Sequence, residues 1–306
     1  MIEASSIGNQ PLRPAFAREL VPSSQKRVAR SKHLVPARVF AVTSGKGGVG
    51  KTNVVANLAA ALTAKKKRVM VIDADLGLAN LDLLLGVTPA STLADFFAGT
   101  AELDEIVVPN RDGILLLPGA SGVQEMTALR HEQKEALLTE LDAMTHEMDL
   151  VLVDTGSGIS DVVTYFTTAA QEIVVVVTPE PTSMTDAYAL IKVLASGHGQ
   201  KRFWILTNNV SSQEESRRVF DALSRTALRF LNASVDLLGW IPRDPQLIRA
   251  VARSRMVVSD ASDSPSAKAL ISVADRLDKI AAANIHVKGN VQFFFRRMLE
   301  GNKGEK

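Results

Sequence analysis

The chain has 306 residues, 46% of them hydrophobic and 22% charged, enough apolar sequence for one large α/β domain. It contains no cysteine, which excludes a disulfide framework and any thiolate-held metal or iron–sulfur centre. The net charge of +2 is unevenly divided, because Arg13, Arg18, Lys26, Arg27, Arg30, Lys32 and Arg38 face only Glu3 and Glu19 within residues 1–38, so the body is net acidic. No apolar run approaches the roughly 18 residues that span a bilayer. Pro, Arg and Ser interrupt the N-terminus where the apolar stretch of a signal peptide would lie. These features predict a cytoplasmic protein, at most attached to a membrane surface.

Residues 1–38 contain Pro11, Pro14, Pro22 and Pro36 and no sustained periodicity, so they read as an unpacked basic arm. Such an arm suits nucleic acid, acidic lipid, or no partner at all. From Val39 the pattern changes. Short Val-, Ile- and Leu-rich runs at 39–43, 68–72, 114–117, 150–153, 173–178, 203–207 and 237–241 read as strands buried on both faces. Between them, 50–65, 133–147, 159–170, 183–196, 213–231 and 264–283 read as helices. The alternation predicts a doubly wound, mostly parallel sheet flanked by helices over residues 39–285. Residues 286–306 read as a C-terminal amphipathic helix and tail.

The run Gly45, Lys46, Gly47, Gly48, Val49, Gly50, Lys51 and Thr52 fits G-x-x-x-x-G-K-[ST], with an apolar strand before it and a helix after it. That context predicts an ATP site with Mg²⁺. The glycines let backbone N–H groups turn inward around phosphates, and the helix N-terminus adds positive partial charge. Lys51 would reach the β- and γ-phosphates, and the Thr52 hydroxyl would ligate Mg²⁺.

Asp73 and Asp75 lie just past the second predicted strand, where ligands gather in a parallel sheet. Asp73 would support Mg²⁺ and Asp75 would orient the attacking water; a solubilising turn is the bland alternative. The strand at 150–153 ends in Asp154, a Walker B arrangement that would hold Mg²⁺ through water. Gly158 would sense the γ-phosphate through its N–H.

Lys46, directly after the first glycine, makes the loop specific. Gly-Lys-Gly-Gly-Val-Gly-Lys-Thr resembles the deviant Walker A motif of the MinD/ParA ATPases. The resemblance implies a slow, switch-like ATPase that dimerises around ATP, with each Lys46 crossing to the phosphates of the partner like an arginine finger. Asp-x-Asp-x-Gly at 73–77 resembles the family's switch I. Relatives more often carry Pro or Ala inside 154–158, so Gly156 and Gly158 point to a looser switch II. By the same resemblance Asn208 hydrogen-bonds the adenine, with a strand-end turn as the alternative, and Pro242 and Asp244 close over the base.

Asn53 stands where most MinD and ParA proteins carry a second Thr. The stretches 92–97, 118–122 and 180–192 resemble the FlhG/FleN (YlxH) branch, which controls bacterial flagellar number and placement. Membership implies work with an FlhF-type GTPase, a flagellar transcription regulator or C-ring components. Asn9-Gln10-Pro11-Leu12-Arg13 is similar to a shortened form of the segment by which some members stimulate FlhF. The alternatives are a MinD-type division-site regulator and a ParA-type DNA-segregation ATPase, although the acidic body argues against a nucleic-acid partner. Val291, Phe294, Phe295, Met298 and Leu299 fall on one helical face, with Arg296 and Arg297 off it. That face suits an anionic membrane surface or docking on the body. Both are expected, docking in the monomer and release on ATP-driven dimerisation, which implies peripheral attachment to the inner face of the cell membrane.

Overall fold

The computed structural model describes residues 37–75, 80–91, 95–96, 99–119, 140, 144–145 and 147–283. Three strands, β1 (Arg38–Ser44), β2 (Val69–Ala74) and β6 (Glu172–Val177), bury every side chain they carry. Their sequences are mostly β-branched or aliphatic, as expected of strands covered on both faces. Together with β3 (Val108–Pro109), β4 (Leu115–Leu117), β5 (Leu150–Ser157), β7 (Arg202–Val210) and β8 (Ser234–Pro242) they form one sheet in the order β3-β4-β2-β5-β1-β6-β7-β8. All neighbours are parallel except β3 with β4.

Strand alternation divides the core into two layers. Phe40, Val42, Val69, Val71, Leu152, Val174 and Leu206 face α1 (Lys51–Ala64) and α9 (Pro265–Ala283). Val39, Ala41, Met70, Ile72 and Val153 face α4 (Asp161–Ala169). Ile173, Val175, Phe203 and Ile205 face α5 (Pro181–Lys192) and α6 (Gln213–Leu231). The expected doubly wound α/β architecture is the observed one. Because β1 lies between β5 and β6, its C-terminal end opens where the chain order changes direction, the place where such sheets bind ligands.

Several boundaries differ from the sequence reading. The strand expected to stop at Val153 continues to Ser157, because Asp154 and Thr155 still pair with β2 and Asp154 with β1. Helix α5 starts two residues earlier than expected, with Pro181 in its first turn, where a missing N–H costs nothing. It runs into a π-helical turn, Val193–Gly197. Four short helices were not anticipated: α2 (Leu81–Leu85), α3 (Leu103–Ile106), α7 (Pro245–Ala252) and α8 (Val257–Asp260). Each is too short to display a sustained 3.6-residue period.

Among the described residues no helix is long and apolar enough to cross a membrane. The basic arm up to residue 36, most of the expected helix 133–147, most of the stretches 92–97 and 118–122, and the amphipathic face Val291, Phe294, Phe295, Met298 and Leu299 lie outside the described residues.

Candidate functional site

The loop after β1 turns back on itself through two glycines in left-handed conformation, Gly48 (φ 78°) and Gly50 (φ 91°), and delivers Lys51 to the first position of α1. An L side chain is disfavoured at both φ values. Gly45 is required for another reason: a Cβ there would lie 2.1 Å from the carbonyl carbon and oxygen of Asp186 in α5. The loop therefore begins wedged against the backbone of α5. Ser44 closes the same turn by donating from Oγ to the Lys46 carbonyl at 2.8 Å.

The two lysines of the loop are placed differently. Lys51 is buried at the head of α1, beside Asp154. Lys46 lies at the surface, its Nζ 2.5 Å from Glu180 Oε2 and 3.0 Å from Thr182 Oγ1. Glu180 and Thr182 were read from sequence only as branch-like residues. Nothing in local spacing reveals that they meet a lysine 134 and 136 positions away.

Asp73 and Asp154 are register partners on adjacent parallel strands. Both are buried, and burial raises both carboxyls above the ordinary range: Asp73 to about 6 and Asp154 to about 7. For Asp73, N–H groups of Asp75 and Leu81 partly offset that burial, while the charges of Asp75 and Asp82 add to it. For Asp154, the nearby Thr52 hydroxyl and Lys51 ammonium offset it and Asp73 and Asp75 add to it. Neither oxygen of Asp154 makes a hydrogen bond of normal geometry. A buried carboxylate beside a Thr hydroxyl and a second carboxylate is an oxygen-rich site suited to a hard divalent cation. Among the described residues no cluster of three acidic or imidazole side chains could hold a metal by itself. The donor set instead fits Mg²⁺, which keeps waters and substrate phosphates as its remaining ligands.

Asp75 approaches switch II: a Cβ on Gly156 would lie 3.6 Å from Asp75 Oδ1 and 3.2 Å from Val163 Cγ2. Gly156 is therefore close-packed within β5, where a side chain would crowd Val163. Gly158 has φ 90°, and its N–H donates to the Ser44 carbonyl at 2.9 Å. To meet a γ-phosphate it must leave that carbonyl.

The residues expected around the base make protein contacts here. Asn208, at the end of β7, donates from Nδ2 to the Val49 carbonyl at 2.7 Å and accepts at Oδ1 from the Asn209 N–H at 2.9 Å. Asp244 caps α7 by accepting from Gln246 N, and its other oxygen accepts from Ser266 N and Oγ at the start of α9. Pro242 ends β8. Asn53 accepts from Asn57 Nδ2, and Asn57 Oδ1 accepts from Val258 N, linking the phosphate-loop helix to α8. Asn53 Nδ2 is buried without a partner.

A family model described as ParA: NUBPL iron-transfer P-loop NTPase matches residues 36–278. The chain is 43% identical over 265 residues to the antiactivator FleN of Pseudomonas aeruginosa, covering 87% of this chain and 94% of the relative. It is 32% identical over 267 residues to the flagellum site-determining protein YlxH of Helicobacter pylori, covering 86% and 90%. Among solved structures, the septum site-determining protein MinD of Pyrococcus horikoshii, complexed with Mg-ADP, superposes with a TM-score of 0.63 at 27% identity, over 82% of this chain and 99% of that one.

Proposed function

The chain belongs to the ParA/MinD family of P-loop NTPases and is an ATPase, and we propose that it works as an ATP-dependent dimerising switch governing the number or placement of flagella. The observation that carries the switch reading is the separation of the two loop lysines. Lys51 is buried in its own cradle, whereas Lys46 is held at the surface by Glu180, just before α5, and by Thr182 in its first turn. A surface lysine beside a phosphate loop is free to serve a second copy of the chain.

In this reading the inward N–H groups of residues 45–52, with Lys51, hold the phosphates of ATP. Thr52 and Asp154, with Asp73 beside them, would hold Mg²⁺, which would supply charge neutralisation for the phosphates. Asp75 orients the attacking water, and Lys46 of each copy stabilises charge developing in the other site. Gly158 exchanges its Ser44 carbonyl for the γ-phosphate, which gives switch II two states. Iron held by thiolates is excluded because the chain has no cysteine.

The flagellar role rests on similarity to FleN and YlxH over most of the chain, and partners within the flagellar machinery follow from it. A division-site role of the MinD kind is the second reading, favoured by the likeness to MinD. The stretch 291–299 would add peripheral attachment to an anionic membrane through Val291, Phe294, Phe295, Met298 and Leu299.

The mass in solution, measured by size-exclusion chromatography with light scattering, tests the switch. Doubling with Mg·ATP and not with Mg·ADP is expected; a monomer in both, at saturating nucleotide, rejects it. Counting flagella in a deletion strain separates the flagellar from the division reading. Co-sedimentation with anionic vesicles, with ATP, with ADP and after removal of residues 291–306, tests attachment; equal binding in all three rejects it.

A further inference from the structure

Helix α7 is apolar on two sides. Leu247 and Ala250, three residues apart, pack inward on the core. Ile248 and Val251 have the same spacing but are 65% and 43% exposed. A single exposed aliphatic side chain is ordinary at a protein surface. Two of them one turn apart, on a helix that has already buried its inner stripe, form a second stripe that the monomer leaves uncovered. At about 100° per residue, Ala252 continues that stripe and Arg249 and Arg253 border it.

The charge beside the stripe is positive, on a body that is net acidic. Arg253 and Arg255 share one carboxylate, Asp260, at 3.8 and 3.2 Å, and both guanidinium side chains stay more than half exposed. Arg249 is exposed and pairs with no carboxylate among the described residues. Gln246 of α7, Asp260 and Asp263 line one shallow cavity next to the helix, and the Asp263 side chain is fully exposed there.

We propose that the outer face of α7 docks an acidic amphipathic helix of another protein, whose apolar side chains cover Ile248 and Val251 while its carboxylates meet Arg249 and Arg253. Charge selects this occupant. The arm at 1–38 is basic, and the tail at 286–306 carries Lys288, Arg296, Arg297, Lys303 and Lys306 against Glu300 and Glu305, so both ends of the chain are repelled. A second copy presenting the same face would set Arg249 against Arg249. A flat anionic membrane would also meet the exposed Asp263, whereas carboxylates on a helix need face only the arginines. The stripe spans one helix of eight residues, about 12 Å, a length that two or three anchors of a partner helix can cover. The surface lies outside residues 45–52 and does not rest on the nucleotide reading.

The test uses the full chain and a fluorescein-labelled synthetic helical peptide with Leu on one face and Glu beside it. Controls are the same peptide with Lys in place of Glu, and phosphatidylglycerol vesicles. Fluorescence anisotropy is expected to show saturable binding of the Glu peptide that weakens with salt, and none of the Lys peptide. Arg249→Glu should weaken it about tenfold, Ile248→Ser about fivefold, and Arg249→Lys by less than either. All three side chains replaced are at the surface, so urea midpoints and ATP affinity should match the original chain; Val251→Ser repeats the apolar test should Ile248→Ser fail to fold. No saturation by the Glu peptide up to about 1 mM would overturn the proposal. Equal binding of the Lys peptide, or affinity unchanged by Arg249→Glu and by loss of either aliphatic side chain, would overturn it as well. Vesicle binding that these variants abolish, without peptide binding, would make the face a membrane surface and likewise reject the protein partner.

Discussion

Lys46 Nζ sits 2.5 Å from Glu180 Oε2, although the two residues lie on different elements and both are solvent-exposed in part. An exposed ion pair of this kind contributes about 0–1 kcal/mol. It holds Lys46 in place without committing it, so a second chain offering phosphate charge can take the lysine over. Lys46→Ala is therefore expected to leave ATP affinity within about threefold while dimerisation and hydrolysis disappear. Lys51→Ala, which empties the cradle itself, is expected to lose nucleotide binding by well over tenfold. Equilibrium binding and light-scattering mass on the two variants check the pair. If Lys46→Ala loses nucleotide as Lys51→Ala does, Lys46 acts in its own site and the trans role fails.

Asp154 gives a prediction in pH. Its carboxyl titrates near 7 in the folded chain and near 3.8 in the unfolded one, because burial disfavours the charged form. Between those values the folded state binds the extra proton, so stability falls as pH rises through the window and the full penalty is present above it. Asp73, raised to about 6, adds a smaller penalty of the same sign. Asp154→Asn removes the charge at its source. Without nucleotide or Mg²⁺, the variant is expected to melt several degrees above the original chain at pH 8 and to match it at pH 4. Mg·ATP should stabilise the original chain more than the variant at pH 8, and the variant should not hydrolyse ATP. Thermal melts across pH, with and without EDTA, check this; a variant that melts lower at pH 8 would refute the burial argument.

How much of this was legible in the sequence depends on the distance over which each feature is encoded. The phosphate loop, the flanking strand and helix, and the carboxylates at strand ends are written in contiguous residues, and the sheet places Asp73 beside Asp154 as parallel pairing requires. The same holds for strands such as β6, whose run of valines has one stable environment. What could not be read depends on residues far apart in the chain. Nothing near Lys46 announces Glu180, and nothing near Asn208 announces that Val49 will need its amide. The close packing of Gly156 against Asp75 and Val163 is hidden for the same reason. Helix α7 did carry a local signal, with Asp244 as its cap and Pro245 at its first position, but eight residues display too little periodicity to register.

Gly45 predicts a difference between two glycines that look alike in sequence. A methyl group at Gly45 would meet the Asp186 backbone at 2.1 Å, and backbone does not swing aside as a side chain does. Gly86, the C-terminal residue after α2, has φ 65° but nothing within 4 Å of the added carbon. Gly45→Ala is expected to cost about 2–4 kcal/mol and to weaken ATP binding, since either the loop or α5 must move. Gly86→Ala should cost about 1–2 kcal/mol, the price of the left-handed backbone alone, with ATP binding unchanged. Urea unfolding with nucleotide titration distinguishes them, and equal costs for the two would show that α5 yields easily.

The far end of the sheet supplies a control. Glu172, at the start of β6, accepts from Arg38 Nη2 at 2.5 Å and from Trp204 Nε1 at 2.8 Å, and the Arg202 guanidinium stacks 4.4 Å above the Trp204 ring. Arg38, Glu172 and Trp204 are all buried and tie β1, β6 and β7 together at their N-terminal ends, opposite the phosphate loop. Removing one member of a buried ion pair leaves the other charge uncompensated, at a cost of about 3–5 kcal/mol. Glu172→Ala is expected to lose stability because it removes the acceptor of Arg38 Nη2 and of the Trp204 N–H together. Glu172→Gln should lose less, since the amide oxygen still accepts one bond. In both variants the folded fraction should bind ATP with the original affinity, because the change is transmitted through global stability and not through the loop. Urea unfolding gives the first quantity and titration of active sites the second. A large shift in ATP affinity in Glu172→Gln, with little loss of stability, would mean that the two ends of β1 are coupled, and the independence argued from their separation would have to be given up.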